Sequence, residues 1–230
     1  MGMTNTQAKE PNETTDQSVL SNLRRHRINV VVTIDDAAHA VQTARALEEG
    51  GIRSVEITMR TPAALKSIER IAAECPGVVV GAGTVLTAAN ARDVRSAGGK
   101  FAIAPGFNPE MVDYCLENDI PVIPGVATAS EMEAAVRKGL SVLKVFPIEP
   151  LGGVPFLKII GGPFRNLEWV PSGGITLANL AGYLAYEKIV ACGCTWIAPT
   201  DWINAGQFDR IREEAKKAVA IAEGARASTS

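Results

Sequence analysis

Short apolar runs recur along the chain and constrain its fold more than any other feature. Eight of them begin at intervals of roughly 20–26 residues, and each has the length of a buried strand. The runs are INVVVTI (28–34), SVEITMR (54–60), VVVGAGTVL (78–86), FAIAPGF (101–107), PVIPGVA (121–127), VLKVFPI (142–148), EWVPSGGI (168–175) and KIVACGC (188–194).

Helical patterns separate most of these runs. Residues 35–51 carry apolar side chains at helical spacing, and Gly50-Gly51 is a stop signal. Residues 61–75 begin with Thr61 as a candidate N-cap and Pro62 at the first helical position. Helical patterns also occur in the segments TAANARDVRSAGG, NPEMVDYCLEN and TASEMEAAVRKG. Because parallel strands need crossover connections, this alternation predicts a parallel sheet covered by helices.

Eight strand–helix units in about 200 residues fit a (β/α)8 barrel of one domain. An open doubly wound sheet is the alternative, but the G-x-G-x-x-G turn that usually follows its first strand is missing. We therefore predict an α/β protein with a (β/α)8 TIM barrel and an extra N-terminal helix near residues 15–26. The barrel domain is expected to span residues 15–223, between flexible ends at residues 1–14 and 224–230.

Charge and composition narrow the possible functions. The 23 Lys and Arg residues nearly balance the 25 Asp and Glu residues, so nothing indicates a nucleic-acid partner. No segment resembles a signal peptide or reaches the ~20 apolar residues that cross a bilayer, so we expect a soluble, cytoplasmic protein without a membrane partner. His26 and His39 are the only histidines, which argues against a His-rich metal site and a Ser-His-Asp triad.

The four cysteines are expected to be reduced, buried thiols. Cys192 and Cys194 form a C-x-C rather than a redox C-x-x-C, and no second metal-type cluster accompanies Cys75 and Cys115.

Side-chain alternation predicts which strand residues face the barrel interior. On the second run, Glu56, Thr58 and Arg60 share one side, and the apolar residues between them suit the surrounding helices. On the sixth run, Lys144 and Phe146 share the inner side. Lys144 and Glu56 are therefore expected to face each other inside the barrel.

A lysine in a buried strand needs an explanation, because an unpaired buried ammonium is costly. Lys144 could pair with Glu56 for stability, or extend its amine to the rim. It could instead lose its proton and become a nucleophile that forms a Schiff base with a carbonyl carbon. Glu56 and Arg60 could also form a structural ion pair. The residues alone leave these alternatives open.

Glycine-bearing segments end three of the predicted strands, at residues 81–84, 171–176 and 192–195. Loops after the seventh and eighth strands often bind phosphate in such barrels. Gly173 and Gly174 would let the backbone approach an anion, and a helix starting near Thr176 would add free N–H groups. The sequence favours a phosphate site here, and tight turns are the alternative.

Seven ordered motifs resemble the bacterial 2-keto-3-deoxy-6-phosphogluconate (KDPG) aldolases, which overlap with the 4-hydroxy-2-oxoglutarate (KHG) aldolases. The motifs are SVEITMRT, VGAGTVL, FAIAPGF, PVIPGVAT, LKVFP, GGPF and PSGGI. The resemblance covers about residues 19–222, and its most specific parts are E-x-T-x-R on the second strand and K-x-F-P on the sixth. It implies a class I aldolase with a (β/α)8 fold, a homotrimer, and no metal cofactor.

The resemblance also implies a role for each matching residue. Lys144 matches the lysine that forms the Schiff base, and Glu56 matches the residue that shuttles protons. The remaining matches are Arg60 and Thr84 for the substrate carboxylate, Pro105 and Phe146 for the pocket walls, and Ser172, Gly173, Gly174, Cys194 and Thr195 for phosphate.

The implied reaction is reversible cleavage of KDPG to pyruvate and glyceraldehyde 3-phosphate. KHG or 2-dehydro-3-deoxy-6-phosphogalactonate is the alternative substrate. More distant alternatives are a phosphate-binding isomerase or synthase without a covalent intermediate, and a non-catalytic binding barrel.

Four positions depart from the family pattern, and one of them, Thr195, stands where the family commonly has Ser. Ser172 stands where the family commonly has Thr, and it keeps a hydroxyl. Cys194 stands where the family commonly has Gly, so its side chain is expected to crowd the phosphate. Some relatives end the first strand in Arg, whereas this chain has Thr33 in that region, so any help from that Arg in binding the aldehyde portion is absent.

Overall fold

A computed structural model of the protein describes residues 13–227. Of the flexible ends predicted at residues 1–14 and 224–230, residues 1–12 and 228–230 lie outside this range, whereas residues 13–14 and 224–227 are helical. Every predicted apolar run contains a strand, and the fifth contains two. The strands are β1 Ile28–Val32, β2 Ser54–Thr58, β3 Val79–Gly83, β4 Ala102–Ile103, β5 Val122–Ile123, β6 Gly125–Val126, β7 Val142–Val145, β8 Glu168–Pro171 and β9 Cys192–Cys194.

Helices connect the strands, as the sequence predicted. The segment after β1 opens with a short 3-10 turn at Ala37–His39, which Asp36 caps, before the main helix begins. The α-helices are α1 Glu13–His26, α2 Ala40–Glu49, α3 Ala64–Glu74, α4 Ala88–Ser96, α5 Pro109–Glu117, α6 Ala129–Arg137, α7 Ile148–Leu151, α8 Gly153–Ile160, α9 Leu180–Leu184, α10 Thr200–Asn204 and α11 Phe208–Ala227.

All the strand pairs are parallel and form two sheets. The larger sheet has the order β5-β4-β3-β2-β1-β9, and the smaller one has the order β6-β7-β8. The fifth run is divided at Pro124, with β5 paired to β4 and β6 paired to β7. Two single parallel bridges, Trp169–Ile189 and Ser172–Gly193, join β8 to the chain around β9. The parallel α/β architecture is therefore confirmed.

The strand side chains separate into an outer and an inner layer. Val55, Ile57 and Val145 belong to the main core with residues of the helices, in agreement with the predicted alternation. A second apolar cluster takes residues from the strands, from the chain just before β4 and β9, and two residues from α1. Its members are Val19, Leu23, Phe101, Ile103, Ile123, Val142, Val170, Val190 and Ala191. This cluster fills one end of the interior, so inward-facing polar side chains lie toward the carboxyl ends of the strands.

Two local predictions about helix starts are wrong. Helix α3 begins at Ala64 after Ala63, and the Thr61 hydroxyl donates to the Ile34 carbonyl at 2.5 Å instead of capping the helix. The helix predicted near Thr176 begins only at Leu180, because Asn179 accepts a hydrogen bond from the Thr176 backbone N–H at 2.7 Å and holds residues 176–179 in a turn.

Two further expectations can be compared with the structure. All four cysteines are free and buried, as predicted. Among residues 13–227, no helix combines the length and apolar character required to span a bilayer.

Candidate active site

Lys144 and Glu56 meet inside the protein from two different sheets. Lys144 lies on β7 and Glu56 on β2, and they are 6% and 2% exposed. The Lys144 Nζ is 3.5 Å from the Glu56 Oε1. The same Nζ lies 5.5 Å from the centre of the Phe146 ring. The predicted pair is therefore formed, and a proton can move between the two groups directly or through one water.

A hydrogen bond on one side and a glycine on the other determine where the Glu56 carboxyl lies. Asn29 on β1 donates a hydrogen bond from its Nδ2 to the Glu56 Oε2 at 2.6 Å. On the other side lies Gly83, where an added Cβ would stand only 2.0 Å from the Glu56 Oε1. A glycine at position 83 therefore leaves the space that the carboxyl occupies.

Arg60 lies beyond the carboxyl end of β2 and is exposed. Its Nη2 donates to the Thr33 Oγ1 at 2.7 Å, and this hydroxyl is also 2.9 Å from the Thr58 Oγ1. The guanidinium thus stands at the open end of the interior, just past the strand that carries Glu56. Thr33 supplies the acceptor that orients it.

The remaining predicted pocket residues follow neighbouring strands. Thr84 directly follows Gly83 and has φ +59°, a left-handed conformation that is uncommon for a residue other than glycine and tends to occur at functional sites. The Pro105 carbonyl lies against Gly125, which pairs with Lys144 in the parallel register. These contacts place Thr84 and Pro105 around the end of the interior that contains the Lys144–Glu56 pair.

The predicted phosphate segment begins next to Phe146. A Cβ added at Gly173 would lie 3.0 Å from the Phe146 ring, and both Gly173 and Gly174 have left-handed backbones, at φ +93° and +98°. The carbonyls of Ser172 and Gly173 accept hydrogen bonds from the backbone N–H groups of Ile148 and Glu149. The glycine turn is therefore fixed to the chain that follows β7, adjacent to the lysine.

The helix predicted near Thr176 offers no free N–H groups to this segment, because α9 begins well after it and has five residues. Any anion here would be bound by the backbone of the turn and by hydroxyl groups. Thr195 after β9 is exposed, and Ser172 is bridged to Gly193 of β9, so the two segments are neighbours.

The Cys194 side chain does not face the glycine turn. It is fully buried in the main core, and its Sγ donates to the Cys192 carbonyl at 3.5 Å. Burial raises the pKa of the Cys194 thiol to about 12. Only the backbone of Cys194 can therefore contribute to an anion site, and the crowding expected from its side chain does not arise.

Two polar residues of this site were given no role on the basis of the sequence. Asn29 is fully buried and contacts Glu56, and Thr33 contacts Arg60. Both lie at inward positions of the first run, alternating with Val30 and Val32 of the main core. The same alternation that selected Lys144 could have selected them.

The arrangement supplies an amine, a carboxyl within proton-transfer distance and a guanidinium suited to a carboxylate. Among residues 13–227 there is no group of three or more His, Cys, Asp or Glu side chains that could hold a metal ion.

Comparison with known proteins gives a consistent result. The family model described as KDPG and KHG aldolase matches residues 19–214. A 2-dehydro-3-deoxy-phosphogluconate aldolase of Treponema pallidum (strain Nichols) is 44% identical over 194 residues, which cover 84% of this chain and 92% of that protein.

Two solved structures have a TM-score of 0.83 and 35% sequence identity to this chain. One is the 2-keto-3-deoxy-6-phosphogluconate aldolase of Zymomonas mobilis ZM4 with 3-phosphoglycerate, covering 91% of this chain and 96% of that one. The other is a KDPG aldolase of Legionella pneumophila with pyruvate captured as a covalent carbinolamine intermediate, covering 86% and 96%.

Proposed function

Because the chain belongs to the KDPG and KHG aldolase family, we propose that it is a class I aldolase that reversibly cleaves KDPG to pyruvate and glyceraldehyde 3-phosphate. The observation that carries the mechanism is the buried Lys144 amine, 3.5 Å from the Glu56 carboxyl. The covalent carbinolamine of the Legionella pneumophila enzyme supports the same chemistry.

Lys144 begins the reaction as the nucleophile. Its proton passes to Glu56, and the neutral amine attacks the C2 ketone of the substrate to form a carbinolamine. Loss of water, with a proton returned from Glu56, gives an iminium that can accept an electron pair. The low exposure of both groups keeps bulk water away from this intermediate.

Cleavage of the C3–C4 bond follows. Glu56, directly or through a water, removes the proton of the C4 hydroxyl, and the bonding electrons move into the iminium. The products of this step are the aldehyde and an enamine. Protonation at C3 and hydrolysis of the iminium then release pyruvate and restore the free Lys144 amine.

Substrate orientation is assigned to the open end of the interior. Arg60 binds the carboxylate with two parallel hydrogen bonds, with Thr84 beside it, and this aims the ketone carbon at Lys144. Pro105 and Phe146 form the walls. The backbone of Ser172, Gly173 and Gly174, with Thr195 and the backbone of Cys194, binds the phosphate, and the 3-phosphoglycerate of the Zymomonas mobilis structure supports a phosphate-bearing ligand.

The finer features of the fold belong to the same proposal. If the broken fifth strand is counted once and the bridges from Trp169 and Ser172 close the remaining gap, the two sheets form one ring of eight strands. Helix α1, through Val19 and Leu23, then closes the amino-terminal end of a (β/α)8 barrel that forms one domain over residues 15–223. The homotrimer, the cytoplasmic location and independence from a metal stay predictions.

The covalent step can be tested by trapping. Incubation with pyruvate and sodium borohydride should attach reduced pyruvate to the peptide that contains Lys144, as measured by mass spectrometry. Lys144→Arg should lose both the adduct and the release of pyruvate from KDPG. Lys158→Arg is the matched control, because Lys158 lies over the Tyr186 ring away from the site, and it should keep both. An adduct on Lys158, or none on the parent protein, would overturn the assignment.

A comparison of substrates completes the test. KDPG should be cleaved with a higher kcat/KM than KHG, which lacks a phosphate, and than the galactonate epimer. Equal kcat/KM values for KDPG and KHG would remove the phosphate segment from the proposal and leave the aldolase chemistry intact.

A further inference from the structure

Asn29 is a fully buried amide at the second residue of the otherwise apolar strand β1, and the mechanism above does not use it. It contacts two polar side chains of β2. Its Nδ2 donates to the Glu56 Oε2 at 2.6 Å, and its Oδ1 accepts from the Ser54 Oγ at 3.2 Å. Ser54 is also fully buried, so neither bond is shared with bulk water.

The chemistry of the neighbours fixes the orientation of the Asn29 amide. The Glu56 Oε2 accepts the hydrogen bond from Asn29, so the NH2 group of the amide, its only donor, faces Glu56. The amide oxygen then faces Ser54, whose hydroxyl has a proton to donate. A flipped amide would set its oxygen against the carboxylate and leave the NH2 group at the hydroxyl.

The Asn29 bond gives the two Glu56 oxygens different tasks. Oε2 is engaged by Asn29, while Oε1 is 3.5 Å from the Lys144 Nζ. Gly83 leaves space for the carboxyl on the side away from the amide. The carboxyl plane is therefore set by a bond to one oxygen, and the other oxygen is left for proton transfer.

We propose that Asn29, held by Ser54, is a positioning residue that fixes the Glu56 carboxyl so that its Oε1 serves Lys144 and the substrate. Asn29 touches neither the lysine nor the ketone carbon, and its effect acts through Glu56. This inference rests on the proposed aldolase function. It predicts that removal of the amide slows the proton-transfer steps and leaves substrate binding nearly unchanged.

The test uses pyruvate alone, because the proposed aldolase should exchange the methyl protons of pyruvate with solvent through the iminium and the enamine. Deuterium incorporation is followed by NMR in heavy water at several pyruvate concentrations, for the parent, Asn29→Leu, Ser54→Ala and Glu56→Gln. Leu has the same number and branching of side-chain heavy atoms as Asn, and it has neither a donor nor an acceptor. Thr43→Val is the matched control, since it also removes a buried side-chain hydrogen bond, from Thr43 to the His39 carbonyl outside the site.

Loss of a hydrogen bond to a charged group should lower the maximal exchange rate of Asn29→Leu by about tenfold to about 100-fold. The pyruvate concentration at half-maximal rate should change less than about threefold, because Asn29 does not touch the substrate. Borohydride should still attach pyruvate to Lys144. Ser54→Ala should show a smaller loss of the same parameter, and it carries the test if Asn29→Leu fails to fold.

The outcomes separate this inference from the proposed function. If the parent exchanges protons but the maximal exchange rate of Asn29→Leu stays within about twofold of the parent rate, the positioning role is wrong. If Asn29→Leu does not fold, the same criterion applies to Ser54→Ala. It is also wrong if Thr43→Val lowers the rate as much as Asn29→Leu does. If the parent shows no exchange, or if Glu56→Gln equals the parent, the proposed proton transfer by Glu56 fails first.

Discussion

One methyl group added at Gly83 tests whether the Glu56 carboxyl has to lie where the structure places it. The new Cβ would stand 2.0 Å from the Glu56 Oε1 and 2.7 Å from the Cδ and Cγ atoms. Ordinary contact begins near 3.4 Å, so the oxygen has to retreat by about 1.4 Å. A misplacement of about 1 Å in a catalytic group can cost about 100-fold in rate. We therefore expect kcat for KDPG cleavage in Gly83→Ala to fall by about two orders of magnitude.

Backbone strain should not contribute to the effect of Gly83→Ala, because Gly83 does not have a left-handed φ. Pyruvate release is measured with lactate dehydrogenase and NADH, and folding is checked by circular dichroism. Gly182→Ala on α9 is the control, since its added Cβ meets nothing within 4 Å. If Gly83→Ala folds and keeps kcat within about twofold of the parent, the position of the carboxyl does not control the rate, and the reasoning is refuted.

Two further predictions concern the phosphate segment and the buried thiols. Gly174→Ala puts a Cβ on a left-handed backbone, 2.5 Å from the Glu149 Cγ. The change should raise KM for KDPG by about tenfold and leave KM for KHG, which has no phosphate, nearly unchanged. Equal increases in the two KM values would contradict a phosphate role for this segment. Burial raises the pKa of Cys115 and of Cys194 from 9.0 to about 12. Between about pH 9 and pH 12 the folded state therefore binds more protons than the unfolded state. The free energy of unfolding should fall as the pH rises through this range. Guanidinium unfolding at pH 8 and pH 10 measures this fall, which Cys115→Ala should weaken; a fall of the same size in that variant would show that Cys115 does not contribute.

The central pair could be found from the sequence because strand alternation is a local rule. Lys144 and Glu56 each stand at an inward position of an apolar run, and the structure brings them within 3.5 Å. Parallel order followed from the helical segments between the runs in the same way. Neither inference needed the register of one strand against another.

What the sequence could not supply depends on contacts between distant segments. The space at Gly83 exists for Glu56, and this requires the register of β2 against β3. The family pattern predicts that the Cys194 side chain crowds a phosphate, yet its position on β9 turns the thiol into the main core. The helix predicted near Thr176 begins only at Leu180, because the Asn179 side chain accepts a hydrogen bond from the Thr176 backbone N–H.

The space enclosed by the strands has an apolar part and a polar part. The polar part contains the buried Lys144–Glu56 pair, whose burial costs free energy. Phe101, Ile103 and Val142 belong to the apolar cluster that also contains Val19 and Leu23 of α1, and this packing limits movement of the strands around it. Removing Lys144 and Glu56 from water costs free energy that their attraction does not reliably return, and apolar replacements of such pairs are often as stable or more so. Stability alone therefore does not account for the pair. The proposed mechanism does account for it, because proton transfer between an amine and a carboxyl requires the two groups to be held close together, here 3.5 Å apart, before the substrate arrives.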